Sequence, residues 1–254
     1  MSSSVQLRVR RLQKQNAGFT RNPNSAKYSI STCKDKIVSN SDWIKVIKEL
    51  KKVPPRDIDF QKSQILEARA DDTTIIVKVG DNNEIEHEYL LSKKFGKLKG
   101  FVKFICYFTC DDDFREFFQG KRTTLCKHGN GSSMKVILMP YFPLGSIASY
   151  PWISENVHIL KSCLAMACCS IIHAYVNMKL VHADFHAANF MLKKTSQSVI
   201  TFDDIIIPTF GIRTWICDFE KSYSYDKQNE TRARADLMYD LQKVFFLLPT
   251  FLPN

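Results

Sequence analysis

The stretch Leu180–Leu192, LVHADFHAANFML, brings His182, Asp184, His186 and Asn189 into one short segment with apolar residues on either side. An acid five residues before an amide suits phosphoryl transfer. The carboxylate can orient an attacking hydroxyl and take its proton, and the amide oxygen can ligate Mg²⁺. A second acid ends another apolar run, Trp215-Ile216-Cys217-Asp218-Phe219-Glu220, and would supply the main metal ligand. A lone His-x-Asp commonly does no more than cap a turn. The longer pattern, His-x-Asp-x-His-x-x-Asn with Ile-x-Asp-Phe downstream, favours the catalytic reading over that one.

Such groups need elements that hold them. Glu155 to Met178 is strongly apolar and predicts a buried helix that delivers the chain to the His182 loop. Arg213 to Phe219 reads as the strand that presents Asp218. Thr201 to Pro208 reads as an extra strand or hairpin, with Asp203 and Asp204 at its turn. Upstream, Ser63–Arg69 and the β-branched run Thr73–Val79 read as strands joined at Asp71-Asp72. Lys78 is the one charged side chain in the second run and faces either solvent or an anion. Glu84 to Phe95 has helical periodicity, with Ile85, Tyr89 and Leu91 on one face and Glu84 and Glu88 sharing another. Gly100 to Cys110 and Met134 to Met139 read as further strands, separated by a long connection from Asp111 to Ser133. Leu237 to Leu248 predicts a last apolar helix. Near the start, Ser41 to Lys52 has Trp43, Val46, Ile47 and Leu50 at helical spacing, and Pro54-Pro55 stops it.

The loop resembles the catalytic loop of the protein-kinase superfamily, His-Arg-Asp-x-x-x-x-Asn, and Asp218-Phe219-Glu220 resembles a variant of its Asp-Phe-Gly. Within that superfamily the chain is most similar to the haspin-like atypical serine/threonine protein kinases. His186 two residues after Asp184, the run Asn189 to Ser196, and Ile207-Pro-Thr-Phe-Gly-Ile212 ahead of the second acid carry the likeness. It extends from about Gln64 to Phe246.

The resemblance implies an α+β fold of two lobes: a small, mostly β N-lobe and a mainly helical, shortened C-lobe. It implies transfer of the γ-phosphoryl of ATP to a protein Ser or Thr hydroxyl, with ATP and Mg²⁺ as cofactors. Asp184 would be the catalytic base, and Asn189 and Asp218 would hold the metal. Lys78, braced by Glu88 with Glu84 as second choice, would position the phosphates. His186 would touch the transferring group. Pro140 and Phe142, at a hinge over 140–146, would read adenine through main-chain groups. Asp240, with Asp236 as the competing choice, would brace the loop from below. Substrates would be proteins, of chromatin type by the resemblance. Large DNA viruses carry similar divergent kinases, so the virion or infected cell joins the cytoplasm and nucleus as an expected setting.

Two departures stand out. No glycine lies between Gly18 and Gly80, so a phosphate-covering turn near Asp57–Lys62 would have to use ordinary backbone conformations. Ala183 replaces the arginine that normally grips a phosphorylated activation loop, which implies an enzyme that needs no such modification. The missing glycines leave a nucleotide-binding pseudokinase as an alternative. A small-molecule phosphotransferase shares the loop pattern.

Composition frames the rest. The chain has 254 residues, 44% of them hydrophobic, enough for one large core or two lobes. The division expected is a basic, flexible leader (1–40), a short helix and Pro linker (41–56), the N-lobe (57–139), the hinge (140–146) and the C-lobe (147–254). Net charge is +10, and residues 1–52 hold twelve Lys/Arg against three Asp/Glu. The remainder holds 24 against 23 and is close to neutral. The leader is thus a solvated tail or a contact for an acidic partner or nucleic acid, whereas a nucleic-acid module would carry its charge on the folded part. No run of about 18 uninterrupted apolar residues indicates a membrane span. MSSSVQLRVRRLQKQ lacks the apolar core of a secretory signal, although its arginines leave a mitochondrial presequence as an alternative. The eight cysteines form no Cys-x-x-Cys, and the expectation is free thiols in a reducing compartment. Cys106, Cys110, Cys126 and His128 match no usual zinc spacing.

Overall fold

The computed structural model describes residues 47–52, 63–70, 73–80, 82–110 and 134–251. The chain mixes helix and strand, as the α+β expectation requires. Its first part is a five-stranded antiparallel sheet in the order β1-β2-β3-β5-β4. The strands are β1 (Ile47–Lys52), β2 (Ser63–Ala70), β3 (Thr73–Gly80), β4 (Cys106–Cys110) and β5 (Met134–Pro140). β3 is central, and Lys78 lies opposite Ile65 on β2 and Ile137 on β5. Ile75, Val77 and Val79 are buried on one face, Lys78 is buried on the other, and β3 has a neighbour on each side, so the lysine has no route to bulk water on an edge.

Helix α1 (Asn82–Phe95) packs on this sheet. Ile85, Glu88, Leu91, Ser92 and Phe95 form its buried stripe at helical spacing. One of those positions is therefore an acid, which must have a partner to be stable there.

The second part begins after the Pro140–Ser146 segment. Gly145 accepts from the Leu192 N–H, and Ser146 bridges to Met191, which ties this segment to the chain just beyond the His182 loop. Helix α2 (Val157–Met178) is long and apolar enough, with the turn before it, to cross a bilayer. Here it buries Leu160, Cys163, Leu164, Met166, Ala167, Ile171 and Ala174 against protein. It ends where Lys179 turns left-handed (φ 50°), its N–H on the Ala174 carbonyl.

Six short strands come next: β6 (Leu180–Val181), β7 (Phe190–Lys194), β8 (Val199–Phe202), β9 (Ile205–Pro208), β10 (Ile212–Ile216) and β11 (Tyr223–Ser224). β6 pairs with β11, β7 with β10, and β8 with β9, the last as the expected hairpin with its turn at Asp203-Asp204. A parallel bridge joins Phe101 to Ile216, and beside it the Val102 N–H donates to the Ile216 carbonyl. Helix α3 (Glu230–Phe251) closes the described chain. One apolar cluster runs from Ile85 and Phe95 on α1 through Phe101 and Phe104 to α2, β7, β10 and Val244 on α3.

Three expectations need correction. Residues 47–52 are a strand on the edge of the sheet, not the end of a helix; positions 41–46 lie outside the described residues. A short helical segment is marginal alone, whereas the edge of β2 offers a ladder of backbone partners, with a register shift between Ile47 and Glu49. The strand expected over Gly100–Cys110 is shorter, because Gly100 adopts φ 85° and sends residues 100–102 to β10 instead. Cys106 is disulfide-bonded, although Cys163, Cys168, Cys169 and Cys217 are free thiols. Pairing requires Cα atoms within about 4–7 Å, a closeness that spacing alone does not reveal. The basic leader, the Asp57–Lys62 turn and the 111–133 connection lie outside the described residues.

Gly100 is where the two parts meet. A Cβ there would overlap the Ser170 hydroxyl on α2 and come within 2.9 Å of its Cβ, whereas Gly211, at φ 81°, has nothing within 4 Å. Gly100→Ala is expected to cost about 3 kcal/mol through overpacking and strain, and Gly211→Ala about 1 kcal/mol through backbone strain alone. Denaturant titration of the two variants checks the ordering; equal losses would show that the contact with α2 is not tight.

Candidate functional site

Two loops lie face to face because of how their flanking strands pair. Val181 pairs with Tyr223 at one end, and Phe190 with Ile216 at the other. Residues 182–189 and 217–222 are the segments caught between these ladders. The Asn189 carbonyl accepts from the Cys217 N–H at 3.0 Å, and the Ser222 hydroxyl donates to the His182 carbonyl at 2.9 Å. Asp184 and Asn189 on one loop are thus placed beside Asp218 on the other.

Asp240, not Asp236, supports the first loop. Its carboxylate accepts from the Ala183 N–H at 2.8 Å and the Phe185 N–H at 3.1 Å. Ala183 is left-handed (φ 61°), which a non-glycine residue keeps only where its surroundings hold it. Asp236 serves elsewhere, accepting from the Tyr223 hydroxyl at 2.6 Å.

The sheet contributes the ammonium. Lys78 Nζ lies 2.7 Å from Glu88 Oε2, 3.1 Å from Asp218 Oδ1 and 4.0 Å from Glu220 Oε2. Glu88 is therefore the helix acid that meets the strand lysine, as expected in preference to Glu84. Its other oxygen accepts from the Phe219 N–H at 3.4 Å, which fixes the residue after Asp218. Burial is the largest influence on both members of the Lys78–Glu88 pair. On the lysine it is outweighed by the Glu88 and Asp218 carboxylates, which hold the ammonium above the ordinary lysine value. On Glu88 it pushes the carboxyl up, against the pull of Lys78. The lysine decides the outcome, because it faces two carboxylates while Glu88 faces one cation.

Asp184 is half-buried. Burial favours its neutral form, but His186 and Lys221 outweigh that and hold the carboxyl below the usual carboxylate range. Lys221 Nζ is 3.0 Å from Oδ1, a charged hydrogen bond. His186 Nε2 is 3.7 Å from Oδ2, beyond hydrogen-bond reach, and already accepts from the Asn189 amide at 3.0 Å. Lys221 therefore carries most of the effect. Asn189 Nδ2 also donates to the Asp184 carbonyl at 3.0 Å, which leaves its side-chain oxygen as the acceptor it can offer.

Asp218 and Asn189 would be the metal-holding residues. They offer a carboxylate and an amide oxygen, the hard donors Mg²⁺ takes. The described residues hold no cluster of three His, Cys, Asp or Glu that could cage an ion alone. That donor set fits Mg²⁺, which keeps waters and takes substrate phosphates beside one or two carboxylates.

No protein-family model matches the chain, and no curated protein matches it in sequence. The site therefore stands on its own geometry.

That geometry brings Lys78, Glu88, Asp184, His186, Asn189 and Asp218 together. Pro140 and Phe142 follow a different pattern: Pro140 ends β5 opposite Ile75, and the Phe142 ring is buried in the core while its carbonyl accepts from the Gly145 N–H. Sequence reasoning missed Lys221 and Glu220. No spacing rule marks a lysine three residues past Asp218, and only the facing of the two loops puts it on Asp184.

His182 is buried and serves the frame. Its Nε2–H donates to the Cys217 carbonyl at 3.1 Å, and its Nδ1 accepts from the Asp184 N–H at 3.3 Å. The bond accepted at Nδ1 requires the neutral ring, and burial lowers its pKa below the ordinary value. A histidine whose folded pKa is depressed contributes fully above the unfolded value, near 6.5, and that contribution is lost as pH falls toward the folded one. The wild type is expected to lose up to about 1.4 kcal/mol of stability per pH unit below about pH 6.5 from this group. His182→Phe should flatten that slope in melting curves between about pH 7.5 and about pH 5.5. An unchanged slope would mean that His182 takes up its proton equally readily in the folded and unfolded states.

Proposed function

We propose that the chain is a protein-kinase-like phosphotransferase, with an ATP site between a β-rich N-lobe (57–139) and a helical C-lobe (147–254). The observation that carries this reading is the buried Lys78 ammonium held between Glu88 and Asp218, with Asp184 and Asn189 tied alongside. A lysine so committed to two carboxylates is a fixed positive charge facing the place where a triphosphate would lie. Bound Mg²⁺ would neutralise charge on the phosphates, held by Asp218 and Asn189.

In the proposed reaction an acceptor hydroxyl oxygen attacks the γ-phosphorus. The new O–P bond forms as the bond to the β,γ-bridging oxygen breaks, and the electron pair leaves with ADP. Asp184 orients the hydroxyl and receives its proton. A carboxyl held below the usual range is a weak base, so its proton arrives late, when the attacking oxygen has become acidic. Positioning and electrostatics would supply most of the acceleration. Pro140 and Phe142 would face adenine through their main chain. Proteins with Ser or Thr, of chromatin type, are the proposed acceptors, and cytoplasm, nucleus or an infected cell the proposed setting.

The segment after Asp218 supports independence from activating phosphorylation. The Ser222 hydroxyl, β11 and the His87 ring, the last 2.9 Å from the Ser222 carbonyl, already secure it. Protein made without upstream kinases is expected to turn over Mg-ATP at the same rate before and after phosphatase treatment. A rate that collapses on phosphatase treatment would refute this.

The decisive assay is Mg-ATP turnover on a peptide library. Asp184→Asn should lower kcat by about 10²–10⁴-fold and keep nucleotide binding. Asp218→Asn should weaken Mg-dependent nucleotide binding itself. A wild type that binds nucleotide without turnover would mark a pseudokinase, and turnover on sugars or small amines in place of peptides would mark a small-molecule phosphotransferase. Variants that match an active wild type would remove these residues from the site.

A further inference from the structure

We infer that Lys221 is a second catalytic cation, one that leaves Asp184 as the acceptor hydroxyl arrives and pairs with the γ-phosphoryl oxygens during transfer. This rests on the phosphotransferase reading above and adds a residue that reading does not use.

Both oxygens of Asp184 face a nitrogen: Oδ1 meets Lys221 Nζ at 3.0 Å, and Oδ2 faces His186 Nε2 at 3.7 Å. Oδ2 has no hydrogen bond to His186 and lies beside that ring, and Oδ1 is the oxygen whose partner can give way to an arriving hydroxyl. The contact with His186 is the longer one, and that ring is held by Asn189. The Lys221 contact is the one that can exchange, because its side chain is 63% exposed and reaches Asp184 only through its terminal ammonium. Its backbone is not free to wander. Ser222 N–H bonds the Phe219 carbonyl at 3.1 Å, and the Ser222 hydroxyl and carbonyl are held by His182 and His87. A fixed root with a mobile tip can move the charge a short way without losing its place.

The chemistry requires such a charge. In transfer, negative charge spreads over the equatorial oxygens of the moving group, and a cation positioned there stabilises it. Lys78 is buried and already committed to Glu88 and Asp218. Lys221 stands at the base, where the hydroxyl must meet the phosphorus. The hydroxyl takes its place on Oδ1, and the displaced ammonium finds a new anion within reach. No proton leaves Lys221 in this exchange, since the ammonium passes from one anionic partner, Asp184, to another, the phosphoryl oxygens.

The test compares binding of Mg-AMP-PNP and Mg-ADP to wild type, Lys221→Met and Lys221→Arg by calorimetry, beside steady-state kinetics. A cation that meets the γ-phosphoryl should make wild type prefer Mg-AMP-PNP, and Lys221→Met should lose roughly tenfold of that preference while Mg-ADP affinity holds within about threefold. In turnover, Lys221→Met should lower kcat by roughly 30-fold with little change in the KM for ATP, and Lys221→Arg should recover most of it. An unchanged preference in Lys221→Met, with wild type binding both nucleotides, overturns the inference and leaves the parent reading standing. A wild type that binds neither nucleotide overturns both. Equal losses on both nucleotides with a lowered melting temperature would assign Lys221 a structural role and overturn the inference.

Discussion

The contact on which the site depends is the one between buried Lys78 and two carboxylates, buried Glu88 and partly exposed Asp218. Burying an ammonium and an acid is costly unless each satisfies the other, and removing one partner from such a pair costs about 3–5 kcal/mol. The central strand supplies the lysine, α1 supplies Glu88, and the 217–222 loop supplies Asp218. A strand, the helix that follows it and a loop far along the chain are thereby held at one point. Phe219, next to Asp218, extends the tie apolarly: its ring stacks on Phe95 of α1 at 4.8 Å and packs beside Phe101 and Phe104. The charge sets the position of α1 and the aromatic cluster maintains it.

Around that point the backbone does the rest. The two loops are held at both ends by antiparallel pairs, and Asp240 holds the first from beneath. Ala183 and Asp218 both carry positive φ, at 61° and 66°. Such conformations cost on the order of 1–2 kcal/mol each for residues with a Cβ. The hydrogen bonds of His182, Asp240 and Glu88 to the surrounding N–H and C=O groups offset that cost. Strain sits at Asp218 and at Ala183, the residue just before Asp184, and the surrounding hydrogen bonds over-determine it.

The electrostatics sort the acids by surroundings. Asp184 sits between an exposed ammonium and a ring and is held low; Glu88, in apolar surroundings, is pushed up but tied to Lys78; Asp240 is raised by burial against its two N–H donors. Three carboxyls of nearly equal intrinsic acidity therefore have three separate tasks. That separation, more than any single residue, gives the proposed phosphotransfer its physical basis.

Much of this was written in the chain. The spacing from His182 to Asn189, the acid after Ile216-Cys217, the lysine in a β-branched run and the helix carrying Glu88 were all legible, because the local period determines which face a side chain takes and a short loop keeps its members close. Strands β2, β3, β5 and the 199–208 hairpin were equally legible. What only tertiary structure could decide was pairing between distant segments. Residues 47–52 became strand because a sheet edge was there to meet them. Gly100–Val102 left β4 for β10, and Cys106 found a disulfide. Lys221 reached Asp184 because β6–β11 and β7–β10 turn two loops toward each other. Local pattern arises from the geometry of a few consecutive residues; contacts across a hundred arise from burial and hydrogen-bond satisfaction over the whole chain, which no short window contains.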